Sequence, residues 1–77
     1  IMYYITRQTN ECIDYFNKNK RSFHHSLSNF TGGYKTLAGA NKKLTILRGI
    51  YKSYFDQSSF DNIKNRNIND FLYITKL

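Results

Sequence analysis

The sequence predicts an α+β domain in which a small antiparallel sheet is covered by one long amphipathic helix. Three observations lead there. The N-terminal part of the chain is rich in Tyr, Ile, Thr and Phe, residue types that suit a pleated, half-buried surface. A Gly32–Gly33 pair then punctuates the chain. Beyond it the apolar residues fall at 37, 40, 44, 47, 51 and 54, the alternating steps of three and four that mark a helix.

Taken in order, "MYYITRQTNECIDYFN" reads as a hairpin with strands over 2–8 and 11–17. "QTNE" interrupts it, and Asn10 tolerates the backbone geometry of a tight turn. "NKNKR" is the next polar turn. In "SFHHSLSNF" the residues Phe23, His25 and Leu27 alternate with His24 and Ser26, the pattern of a third strand. The helix spans 35–55, with Ile50 and Phe55 widening its apolar stripe. Arg48, Lys52, Lys42 and Lys35 project from the opposite arc, and Lys43 sits near the seam, its stem on apolar surface. Gly39 and Gly49 each cost about 1 kcal/mol relative to Ala, so packing must hold this helix. "DQSSFDNIKNRNIND" is Asn-rich and poorly periodic, with Ser58 or Ser59 placed to cap a short helix carrying Phe60 and Ile63. "FLYITKL" resembles the opening in composition and reads as a fourth strand pairing with the first. The rival reading is a second helix running through to Ile74.

Seventy-seven residues make a single small domain, one that buries roughly 60% of its unfolded surface. Cys12 is the only cysteine, and one Cys with two His falls short of a four-ligand zinc site. The chain reads as intracellular, reduced, free of metal and cofactor. No apolar run approaches the ~18 residues a membrane span requires, and the opening Ile1 to Ile5 is too short for a signal-peptide core. The cytoplasm is therefore the expected compartment, with Met2 rather than Ile1 the expected start. About half of the residues are Asn, Lys, Ile, Tyr or Phe, all encoded by AT-rich codons, which suggests a phage, plasmid or low-GC bacterial source.

Charge is the informative quantity. The net value is +7, and the five acids stand at 11, 14, 56, 61 and 70. Between Tyr15 and Phe55 there is no acid against eight basic residues: Lys18, Lys20, Arg21, Lys35, Lys42, Lys43, Arg48 and Lys52. The remaining four basic residues against five acids leave the flanks at −1, so all of the excess belongs to the middle. An uninterrupted basic tract suits a polyanion, because Lys and Arg contacts to phosphate dominate non-specific nucleic-acid affinity. The residues expected to meet it are Lys18, Lys20, Arg21, Lys35, Lys42, Arg48 and Lys52. Tyr3, Tyr4 and Tyr15 are the rings expected to stack on bases. Tyrosines outnumber arginines and no recognition-helix pattern is evident, which favours RNA or single strands. Strand–strand–strand–helix modules occur among small DNA- and RNA-binding domains, a likeness of architecture alone.

The alternative is a phage-type inhibitor or antitoxin that docks on a host protein or nuclease, which fits the length and the Tyr content. Imitation of DNA is excluded, since that requires an acidic surface. In either case the protein is expected as a monomer or small homo-oligomer, without a membrane partner. Catalysis is not expected. His24 and His25 face opposite ways on a strand, so only one could act as the acid or base of a metal-independent ribonuclease, and no spacing identifies its partner. Glu11 and Asp14 are too few for a metal site. Gly32–Gly33 lacks the Lys–Ser/Thr ending of a phosphate loop.

Overall fold

The computed structural model describes residues 1–9, 12–25, 32–57 and 67–77, with the side chains of 53–57 excepted. The order is β1 (Tyr3–Gln8), β2 (Ile13–Asn17), β3 (Ser22–His24), α1 (Leu37–Gln57), α2 (Ile68–Phe71) and β4 (Leu72–Lys76). The four strands form one sheet in the order β3-β2-β1-β4, antiparallel throughout. The predicted α+β sheet with its C-terminal fourth strand and one long helix is what the chain adopts. The expected turn at Asn10, Glu11, the strand residue Leu27, the cap at Ser58 or Ser59, and Phe60 and Ile63 all lie outside the described residues.

Register assigns the two faces. Ile5 pairs with Ile74, Arg7 with both Asp14 and Leu72, and Phe16 with Phe23. Paired residues point to the same side, so these form the face beneath α1. The core there is Ile5, Phe16, Phe71 and Leu72 of the sheet side against Leu44 and Leu47 of the helix, with Phe23, Tyr34, Tyr51 and Ile74 packed around them. Edge-to-face rings link Phe16 to Phe23, Phe23 to Tyr51, and Tyr51 to Phe71, with centroids 5.3, 6.2 and 5.7 Å apart. Each such pair adds about 0.5–1.5 kcal/mol beyond the area it buries.

The Gly32–Gly33 pair does more than turn the chain. Tyr3 would continue the β1–β2 register opposite residue 18, but it bridges Tyr34 instead, with both N–H···O bonds at 2.8 Å. Lys18 N–H donates to Gly32 O at 3.1 Å. Residues 32–34 therefore fill the gap where β1 and β2 part. A Cβ on Gly33 would lie 2.7 Å from the Tyr4 ring, and one on Gly32 would overlap the Asn17 side chain and come within 2.7 Å of its Cα. Gly32 thus lies against the β2 backbone and Gly33 against the Tyr4 ring, and neither position leaves room for a side chain.

Thr36 starts the helix, its Oγ1 accepting from Gly39 N–H at 3.1 Å. Ala40, Leu44 and Leu47 form its buried line. Three expectations for α1 need correction. Leu37 and Ile50 are 48% and 58% exposed and do not extend the core stripe. At 100° per residue Ile50 lies about 90° from the buried centre line, and Leu37 sits in the unpacked first turn. Arg48, only about 70° from that line, leans onto the sheet instead of pointing away from it. Its Nε and Nη2 donate to Leu72 O at 3.2 and 2.8 Å.

The rival second helix is also corrected. Asn67 caps a single helical turn, accepting from Asn69 N–H at 2.8 Å, and β4 takes over at Leu72. The β-branched and aromatic run "YIT" suits a strand, and Arg48 holds its first carbonyl. β3 ends at His24, shorter than expected, although His25 still turns to the same side as Phe23, towards Asp14. Among the described residues no helix is long and apolar enough to cross a membrane.

Candidate functional site

The face of the sheet away from α1 is lined by tyrosine and threonine. Register places Tyr4 with Thr75, Thr6 with Tyr15 and Tyr73, and Tyr15 with His24 on this side. The Tyr4 and Tyr15 rings meet edge to face at 6.3 Å and 74°. Tyr73 Oη donates to Gln8 Oε1 at 2.7 Å, and Thr6 and Thr75 share a 2.7 Å hydroxyl contact. Thr6 is fully buried beneath these rings, while Tyr4, Tyr15, Tyr73 and His24 stay half-exposed. Hydrogen bonds hold Tyr73 and His24, Tyr4 and Tyr15 brace each other, and such partly exposed rings can stack on another π system.

At one end of this sheet β1 and β3 begin while β2 and β4 finish. That end gathers Lys18, Lys20 and Arg21 in the β2–β3 turn, Lys35 just after the Tyr3–Tyr34 bridge, and Lys76 opposite Tyr3. All five are exposed, and among the described residues no acid lies beside them. The turn is organised by a neutral group. Asn17 is buried, and its Oδ1 accepts from Asn19 N–H at 2.9 Å and Lys20 N–H at 3.0 Å, while Arg21 N–H reaches Asn17 O at 2.8 Å. Arg21 pays with a left-handed backbone, φ 56°, which a non-glycine residue adopts at about 1–2 kcal/mol. Lys18 Nζ stands 5.5 Å from the Tyr34 ring centroid, and burial pushes the Tyr34 phenol above its ordinary range.

The other end is electrically balanced. Arg7 Nη2 meets Asp14 Oδ2 at 2.7 Å and Nη1 meets Tyr51 Oη at 3.2 Å, with the guanidinium 4.3 Å over the Phe23 ring. Burial opposes the charge of Arg7, but the bonds to Asp14 and Tyr51 outweigh it and hold its pKa above the ordinary value. Asp70 lies near, beside a shallow open groove that it lines with Gln8, Asn69 and Tyr73.

The ten residues singled out from sequence thus separate. Lys18, Lys20, Arg21 and Lys35 share the basic end, and Tyr4 and Tyr15 share the adjoining open face. Tyr3 belongs to the helix-covered face. Lys42 and Lys52 are exposed on α1, on the far side of the molecule from the tyrosines. Arg48 is engaged with Leu72 O, and Lys43 lies 5.3 Å over the Phe16 ring, the seam position its place on the helix implied. Tyr73 and Lys76 were missed. The signal for both was the alternation of "FLYITKL", which could be assigned to faces only once the fourth strand's register was known. No known protein family, curated protein or solved structure matches this chain.

Proposed function

We propose that this is a nucleic-acid-binding module that takes a single strand, RNA or DNA, across the open face of its sheet. The observation that carries the reading is the adjacency of the Tyr4–Tyr15 ring pair to the acid-free end bearing Lys18, Lys20, Arg21, Lys35 and Lys76. Each base stacked on a ring contributes about 1–3 kcal/mol, and any base has a π face to offer. Unpaired bases can reach such a platform; bases inside a duplex cannot. The strained backbone of Arg21 supports the same reading, since glycine would relax it and only function rewards keeping a charge there. The cations of α1 lie apart from the rings and add to the general field.

A second reading, docking on a protein, rests on Ile46 and Ile50. They are 49% and 58% exposed one turn apart on α1, next to Gly49, whose missing side chain leaves open space.

Fluorescence anisotropy with labelled oligo-U, oligo-dT and a duplex separates the two. Five phosphate contacts on a single strand give a slope of log K against log salt of about −3.5, so affinity falls about a hundredfold from 50 to 200 mM salt. Tyr15→Ala should weaken binding by about 1–3 kcal/mol and Tyr15→Phe should restore it. A flat salt response, with Tyr15→Ala inert, would sink the proposal and move protein docking to first place.

A further inference from the structure

The balanced end of the sheet carries a second chemistry, independent of any nucleic acid. Arg7 pairs with Asp14, and extending the β2–β3 register one step past Tyr15↔His24 sets His25 opposite Asp14. Cys12 lies two residues before Asp14 and so on the same side. Sulfur, oxygen and nitrogen are thereby brought together: the donor atoms of Cys12, Asp14 and His25 all lie within 4.8 Å of one another. The Cys12 thiol points to Asp14 Oδ2 at 3.7 Å, and His25 Nδ1 contacts Asp14 Oδ1 at 2.5 Å.

We infer that Cys12, Asp14 and His25 form a three-donor site for a borderline-soft divalent cation, with Zn2+ the best chemical match and a fourth position open to water or a ligand. The donor set decides the class of ion. Thiolate, imidazole and carboxylate together suit zinc and its neighbours, whereas Mg2+ and Ca2+ demand cages of six or more oxygens. Both carboxylate oxygens face the cluster. Oδ1 meets His25 Nδ1, while Oδ2 takes the Cys12 thiol and is anchored by Arg7, itself fixed by Tyr51 and Phe23. Outer partners of this kind orient metal-binding carboxylates. Arg7 adds a positive charge nearby, and the thiolate formed on loading offsets it, because the Cys12 thiol releases its proton to solvent as it binds. Zinc bonds of about 2.0–2.1 Å in tetrahedral array set N and O about 3.3 Å apart. His25 must therefore swing outwards by under an ångström, and its side chain, 75% exposed, has room to do so. A donor count that sought four side chains passed over this site.

The test is a titration of the reduced protein with Co2+ alone, followed by Zn2+. One equivalent of Co2+ should produce a thiolate-to-cobalt charge-transfer band, which Zn2+ abolishes and excess Mg2+ does not. Cys12→Ser should remove the band. In competition with a chromophoric chelator, His25→Ala should weaken zinc binding at least about tenfold, and His24→Ala should leave it unchanged. Since both histidines sit at the surface, circular dichroism of the variants should match the parent. Binding to the folded state should also raise the melting temperature of the parent protein, not of His25→Ala. Failure of the parent to take up one equivalent, or a His25→Ala variant that binds zinc as tightly as the parent, overturns the site.

Discussion

Asp14 and Asn17 stand three residues apart on β2, both only 4% exposed, and each organises one end of the sheet. They do it with opposite consequences. The carboxylate of Asp14 draws in the Arg7 guanidinium and the His25 ring, so the charge of Arg7 is engaged within the fold. Asn17 presents a neutral amide oxygen to two backbone N–H groups, and the lysines and arginine of its turn stay exposed. A buried acid neutralises its surroundings. A buried amide can shape a turn as well and leaves the field intact.

The strongest way to break this comparison is Asp14→Asn. It leaves a half-buried guanidinium without its counter-ion, and hydrogen bonds to charged groups are worth about 1.5–3 kcal/mol. Thermal unfolding should show a loss of about 2–3 kcal/mol, with a fall of 4–8 °C for each kcal/mol in a domain this size. The net charge becomes one unit more positive, yet the change lies at the wrong end to help a polyanion. The salt slope should stay where it was. If affinity rises instead, total charge governs binding and the assignment to one end of the sheet is wrong.

How far this polarity was legible in the sequence depends on the separation of the residues involved. The hairpin, the helix and the final strand followed from local period, and the basic tract from a count of charges. Arg48 shows where that approach stops. Its helical angle alone leaves two outcomes, and a carbonyl twenty-four residues later decided between them. Strand alternation alone sets Tyr3 and Tyr4 on opposite faces, but which face the helix covers was fixed by the pairing of Ile5 with Ile74, a long-range fact. The Arg7–Asp14–His25 row likewise needed two registers at once. Local pattern gives elements, whereas a site assembled across strands requires their alignment.

The converse exchange, Asn17→Asp, sharpens the comparison at a smaller cost. The new carboxylate can still accept from Asn19 and Lys20, and the neighbouring cations compensate its burial, so stability should change by no more than about 1 kcal/mol. Binding should respond where stability does not. With one unit of charge neutralised at the rim, the slope on a single strand should shrink by about 0.7. Identical slopes for Asn17→Asp and the parent would place the phosphates elsewhere, with Lys42 and Lys52 on α1 the next residues to change.

The smallest effect expected is the most discriminating, because its two readouts move in opposite directions. Arg21 holds φ 56° without being glycine, at a cost of about 1–2 kcal/mol. Glycine removes that strain but carries about 0.5–1 kcal/mol of extra chain entropy. Arg21→Gly should therefore stabilise the protein by roughly 0.5 kcal/mol, a melting rise of a few degrees. The Asn17 bonds to the turn remain available, so the β2–β3 hairpin should keep its shape. Affinity for a single strand should nevertheless fall, with the salt slope smaller by about 0.7 for one lost phosphate contact. Arg21→Lys, which keeps the charge and the strain, should bind nearly as the parent does and melt with it. A protein that becomes more stable while binding less is one in which the turn was shaped for its charge. Were Arg21→Gly to bind as tightly as the parent, the strained arginine would have no part in recognition, and the basic end would reduce to a solvated rim.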